Sequence, residues 1–212
     1  MDDAMKTTLN LVTAVSREYN LPRLLRSIEV SMEGSGLNVK WILVFDWPGE
    51  KREITRTLLR EPSPVLIQRV VYAGSTNRCA VLQKNLGMNH IDPGYYLCLD
   101  DDNVLHPEYL KTLTGLIAAH PSKRAFVVAQ KRWDKHGTLH ADPAEVKPCH
   151  IDSAMFTVHT DIIGTDRYDV STASAEDGDF ARRMYAKNPK AWYFHDHIAS
   201  YFNYLRVDPR CP

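Results

Sequence analysis

The stretch "YYLCLDDDN", residues 95–103, joins an apolar, aromatic run to three consecutive carboxylates. Tyr95 to Leu99 read as a strand buried on both faces, because the run is short, continuous and apolar. At its end Asp100, Asp101 and Asp102 repel one another where water is scarce, an arrangement that is costly unless a cation or hydrogen-bond donors compensate it. A hard divalent ion, Mg²⁺ or Mn²⁺, does so through oxygen ligands: one or two carboxylates hold it, and water and phosphate oxygens complete its shell. In an extended chain, alternation puts Asp100 and Asp102 on one side and Asp101 on the other, an Asp-x-Asp pair. The competing reading is a solvated acidic turn capping the next helix near Asn103.

Working outward, strands and helices alternate. "LNLVTAV" (9–15) reads as a strand, and Leu21, Leu24, Leu25 and Ile28 then recur at helical spacing. "VKWILVFD" (39–46) is a second strand, "EKREITRTLLR" (50–60) a helix and "PVLIQRVVYA" (64–73) a third strand. "GSTN" suits a turn, and "RCAVLQKNLGMNH" (78–90) a helix closed at Gly87 or shortly after. This order predicts an α/β fold with a mostly parallel, doubly wound central sheet flanked by helices, whose ligands lie beyond the carboxyl ends of the strands, where the triple Asp falls. Downstream, "PEYLKTLTGLIAAH" and "AEDGDFARRMYAKNP" read as helices, "RAFVVAQKRW" and "AWYFHDHIASYFNYL" as strands, and "GTLHADPAEVKP" as a loop. "HIDSAMFTVHTDIIG" reads as a strand and turn. No repeat or linker interrupts the chain, which is read as one domain over 1–212: about 1–103 a nucleotide-binding half, about 104–212 an acceptor and catalytic half.

With 212 residues the chain is long enough to bury a full core. Its 26 basic and 26 acidic side chains cancel, which argues against a nucleic-acid partner held by a basic field. Cys79, Cys98, Cys149 and Cys211 lack C-x-x-C spacing and are read as free thiols. There is no signal-peptide pattern at the start and no apolar run of about 18 residues, so a soluble cytoplasmic protein with no membrane span is expected.

The strand with its "DDDN" resembles the metal and nucleotide-sugar motif of GT-A glycosyltransferases, above all the version in the glucuronyltransferase family. Other segments are similar in the same order. "VTAVSREYNLPRLLRSI" (12–28) resembles the opening strand and loop that receive the base, "WILVFD" the second strand, and "GSTNRCAVLQKNLG" (74–87) the helix before the motif. "AEDGDFARRM" (175–184) resembles the Glu-Asp segment of inverting members of family 2 and its relatives. The compactness is similar to that of small virus-encoded domains of this kind.

The resemblance implies a GT-A single domain acting as a metal-dependent glycosyltransferase, inverting rather than retaining. It would move a sugar from a nucleotide-diphosphate donor, a UDP-sugar first, to an acceptor hydroxyl on a glycan or glycoprotein, with further domains of a longer chain left open. Donor-nucleotide contacts fall to Thr13, Arg17, Glu18, Asp46, Arg78, Asp100 and Asp101, with the last two facing ribose and base. Asp102 binds the Mn²⁺ or Mg²⁺ that bridges the diphosphate, with Asp100 beside it, and stabilises the leaving group. Asp177 is the base that takes the acceptor proton, with Glu176 as second choice. Acids in a helix's first turn also serve its dipole, the bland reading of the same residues. In "FHDHI" (194–198), His195 and His197 share one side of a strand, and one of them is expected as an additional metal ligand. Spacing does not choose between them, and a hydrogen-bonded surface His is the alternative. His150 and Asp152 are same-face candidates for the donor sugar or acceptor hydroxyls. Trp192, Tyr193, Phe194, Tyr201, Phe202 and Tyr204 suit either core packing or an acceptor sugar. A metal-dependent nucleotidyltransferase or phosphohydrolase would use the same Asp cluster, but "VSREYNLPR" (15–23) has no glycine to cradle a triphosphate.

Overall fold

The computed structural model describes residues 7–45, 62–71, 80–132, 137–172, 175–202 and 204–205. Asp46, Arg78, the helix read at 50–60, the "GSTN" turn, Cys79 and Cys211 lie outside them.

The described strands are β1 (Thr8–Val15), β2 (Asn38–Phe45), β3 (Leu66–Val71), β4 (Tyr95–Cys98), β5 (Val104–Leu105), β6 (Ala125–Arg132), β7 (Gly137–Leu139), β8 (Phe156–His159) and β9 (Trp192–Phe202). They form one sheet in the order β3-β2-β1-β4-β8-β6-β9-β5, with β7 against β6. Pairing is parallel through β3-β2-β1-β4 and again between β6 and β9, and antiparallel where β8 enters between β4 and β6. The α/β architecture is therefore the expected one. Its helices are α1 (Leu21–Met32), α2 (Val81–Met88), α3 (Tyr109–Ala119), α4 (Thr160–Ile163) and α5 (Glu176–Lys187).

The sheet separates two apolar cores. On one face Leu21, Leu24, Leu25 and Ile28 of α1 and Leu110, Leu113 and Leu116 of α3 pack on Leu9, Leu11, Leu43, Phe126 and Val128. The four apolar positions that predicted α1 are all buried, each worth about 1.5–3 kcal/mol of burial. On the other face α2 and α5 cover the sheet through Val81, Met88, Phe180, Ala181 and Met184, against Val12, Ile42, Val44 and Val127. α2 ends at Met88, one residue past Gly87 and within the expected bound. A Cβ at Gly87 would sit 2.4 Å from Val12 Cγ1, so the missing side chain lets α2 lie close on the sheet. At Gly178 a Cβ would meet the Lys147 carbonyl at 2.4 Å, so the start of α5 lies close on the loop at Lys147 and Pro148. Both approaches matter below, because α2 and α5 carry charged residues to one point. No described helix is long and apolar enough to cross a membrane.

Candidate active site

The acid triplet does not continue the strand. β4 ends at Cys98, and Asp101 and Asp102 lie in a turn, so period-2 alternation lapses before it reaches the acids. Asp101 turns back toward the loop after β1. Its carboxylate accepts hydrogen bonds from Ser16 N (2.6 Å), Ser16 Oγ (3.1 Å), Arg17 N (2.5 Å) and Arg17 Nη1 (2.5 Å). Asn20 Nδ2 donates to its carbonyl. Asp102, also buried, stands 3.2 Å from the same Arg17 Nη1. Burial works against the Arg17 charge, but Asp101 and Asp102 outweigh it and hold its pKa above the usual arginine value.

Asp100 goes the other way, and only it of the three joins a second set of acids. α5 opens with Glu176 and Asp177, and Asp152 caps the single turn Ser153–Met155 ahead of β8. Carboxylate oxygens of Asp100, Asp152 and Asp177 lie within 4.8 Å of one another. Asp152 Oδ1 accepts from Gln130 Nε2 and Ala154 N, both at 2.9 Å, and Gln130 also reaches Ser200 Oγ at 3.0 Å. These acids face a cavity of about 330 Å³, lined also by Glu176, Arg132, Cys149, His150 and Phe202. A larger one, about 750 Å³, lies along α1, β5 and β9 on the other face and contains none of the acids.

Lys84, on α2, reaches the centre of this group with its side chain 2% exposed. Its Nζ is 2.8 Å from Asp177 Oδ1, 3.4 Å from Glu176 Oε1 and 3.6 Å from Asp100 Oδ1. Desolvation opposes its charge, but Asp100, Asp177 and Glu176 raise its pKa well above the ordinary value. Three carboxylates thus stand within 4 Å of this one ammonium, and a fourth, that of Asp152, converges with two of them. The acids respond to burial and to one another. Burial, with Asp100 and Asp177 nearby, pushes Asp152 up to about 8. Burial also pushes Asp177 up to about 6, with Lys84 opposing and Asp100 and Glu176 adding.

An all-oxygen, under-neutralised donor set of this kind fits Mg²⁺ or Mn²⁺. The residues that fit are not quite those expected. Asp102 is turned to Arg17 rather than to the cluster. His195 and His197 are not brought to the acids either. His195 pairs level with Val128, on the α1 and α3 face of the sheet, and His197 packs edge-on against His106 with ring centroids 5.0 Å apart. Thr13 is fully buried and spent on structure: its Oγ1 donates to Leu99 O at 2.7 Å and accepts from Trp41 Nε1 at 2.9 Å. Glu18 opens the short helical turn Glu18–Asn20. His150 lies in a turn at the cavity, 2.6 Å from Glu145 Oε2, and not in a strand with Asp152. Among the aromatics, Trp192 is core and Tyr193 stacks on His120 at 3.9 Å. Cys98 and Cys149 are free thiols.

Sequence reasoning missed Lys84, although a signal was present. Lys84 lies three residues after Val81 and four before Met88, on the apolar stripe of α2, where a lysine has no solvent to reach.

No protein-family model matches this chain, and no curated protein sequence does. Solved structures do match in fold. TarS 1-349 of S. aureus superimposes with a TM-score of 0.69 at 14% identity, over 93% of this chain and 60% of that one. The same protein in complex with UDP-GlcNAc gives 0.70 at 15% identity, over 93% and 58%. The mannosyltransferase PcManGT from Pyrobaculum calidifontis, in complex with GDP-Man and Mn²⁺, gives 0.69 at 11% identity, over 99% and 60%. The fold is thus that of the GT-A glycosyltransferases, as the "DDDN" resemblance implied. The chain spans about 60% of the length of these structures.

Proposed function

We propose that this chain transfers a sugar from a nucleoside-diphosphate donor, a UDP-sugar by preference, to an acceptor hydroxyl on a glycan, inverting the anomeric centre. The observation that carries the reading is the convergence of Asp100, Asp152 and Asp177 on one cavity beside the carboxyl end of β4, in a GT-A fold. Structural neighbours in complex with UDP, UDP-GlcNAc, and GDP-Man with Mn²⁺ support the donor class.

Asp100 and Asp152 are the pair that would hold Mn²⁺ or Mg²⁺. When bound, such an ion supplies positive charge to the diphosphate as the bond from the sugar's C1 breaks. Asp177 takes the proton of the attacking hydroxyl. A carboxylate raised to about 6 is still ionised near neutrality and is a stronger base than an ordinary aspartate. The helix start fixes its backbone and Lys84 its side chain, so it meets the acceptor in one orientation. Glu176, less exposed and also on Lys84, supports that placement. His150, at the same cavity, is placed to meet hydroxyls of donor sugar or acceptor. Arg17 and Asp101 shape the loop after β1, where the base of the nucleotide would lie.

Thermal shift with UDP, GDP and their sugars, each with and without Mn²⁺, tests the donor. Proton NMR of the first product formed from an α-linked donor tests the stereochemistry: a β-linked product is expected. An α-linked product, or no stabilisation by any nucleotide, contradicts the proposal.

A further inference from the structure

The Lys84 ammonium stands 2.8, 3.4 and 3.6 Å from the carboxylates of Asp177, Glu176 and Asp100. The ring of Tyr168 lies 5.5 Å from the same nitrogen and closes another side. Two of these partners, Asp100 and Asp177, are also two of the three acids whose oxygens converge within 4.8 Å. A resident cation and an incoming divalent ion therefore draw on the same two carboxylates. They also repel each other across a few ångströms of protein, where screening by water is weak.

We infer that Lys84 is a positioning residue that serves as the permanent counter-ion of this site. It holds α2, the Asp100 turn and the start of α5 together when no divalent ion is present. Its charge also keeps the affinity for the free ion low, so that the ion is taken up together with the diphosphate, whose oxygens complete the coordination shell. The inference rests on the reading of this cavity as a metal and nucleotide-sugar site. It explains why a fully buried lysine stands among acids that would otherwise bind the ion more tightly: such tight binding would leave the ion in place between turnovers.

The test uses Mn²⁺ alone. Calorimetric titration and thermal melting are run on the wild type and on Lys84→Met, without nucleotide. Lys84→Met is expected to bind Mn²⁺ at least about tenfold more tightly. It should also melt lower than wild type in chelator and recover more than wild type when Mn²⁺ is added. Equal or weaker Mn²⁺ binding by the variant, no Mn²⁺ binding by either protein, or a lowered melting temperature that Mn²⁺ does not restore overturns the inference. If Lys84→Met does not fold, the double variant Lys84→Met/Glu176→Gln keeps the formal charge of the cluster while freeing the oxygens of Asp100 and Asp177. It is expected to bind Mn²⁺ more tightly than wild type, and unchanged affinity overturns the inference. Separate titration with UDP and Mn²⁺ keeps the two readings apart. Nucleotide binding with no Lys84 effect on Mn²⁺ refutes only the lysine's role, and a Lys84 effect without nucleotide binding refutes only the transferase.

Discussion

Arg17 and Lys84 each stand among carboxylates near the end of β4, and the chain divides "DDD" between them. At Arg17 the account closes: Asp101 is saturated by two backbone N–H groups, the Ser16 hydroxyl and the guanidinium, and Asp102 shares the same arginine. At Lys84 it does not, because three acids share one ammonium, a fourth, Asp152, converges with two of them, and all four open onto a cavity. A satisfied ion cluster holds a fold together. A surplus of buried negative charge costs stability, and such a surplus is kept where a cationic partner arrives from outside.

The comparison breaks first on activity. Asp177→Asn removes the base at nearly constant shape, and the transfer rate should fall about 10²–10⁴-fold while nucleotide binding persists. Radiolabelled-sugar transfer and calorimetry measure the two separately, and wild-type turnover would move the base elsewhere. Next comes stability at the two ends of the triplet. Asp101→Ala leaves the Ser16 and Arg17 backbone N–H groups without their acceptor and the Arg17 guanidinium without its shorter ion pair, and should cost about 2–4 kcal/mol in urea unfolding. Asp100→Asn, which removes a surplus charge, should be neutral or stabilising in the absence of metal. Equal losses at the two positions would erase the distinction. Gly178→Ala forces a methyl onto the Lys147 carbonyl and should cost about 1–3 kcal/mol, with lower activity as Asp177 shifts.

Stability also depends on pH. Asp152 is pushed up to about 8 in the folded chain, against about 3.9 when unfolded, so between those values the folded state holds more protons. Its contribution to stability is full below about pH 4 and is lost as pH rises toward 8. In chelator the melting temperature should therefore fall by about 10 °C between pH 5 and 8, and Asp152→Asn should flatten that slope. A slope unchanged in the variant would place the titration elsewhere.

Much of this was legible in the sequence. Short apolar runs marked the parallel strands, the Leu21, Leu24, Leu25 and Ile28 spacing marked α1, and among the acids singled out Asp100, Glu176 and Asp177 are brought to one cavity. The division of labour within the triplet was not legible. Alternation holds only while the chain is extended, and it turns after Cys98. His195 and His197 were correctly placed beside each other, with ring centroids 6.3 Å apart, but strand direction alone does not say which face meets the acids. Pairing of β9 with β6 decides that, and it puts His195 on the far side. Lys84 was hidden because a lysine in a helix usually reaches water. Here Gly87 lays α2 close on the sheet, Gly178 lays the start of α5 close on the loop at Lys147, and the lysine meets acids instead, a consequence of tertiary contact.

The most direct test of the over-charged cavity is anomalous diffraction from a crystal grown with Mn²⁺ and UDP. A manganese peak within coordination distance of Asp100 and Asp152, with diphosphate oxygens completing its shell, is the predicted result. A peak on Asp102 or on His195 and His197, or nucleotide bound with no peak beside Asp100, would contradict it.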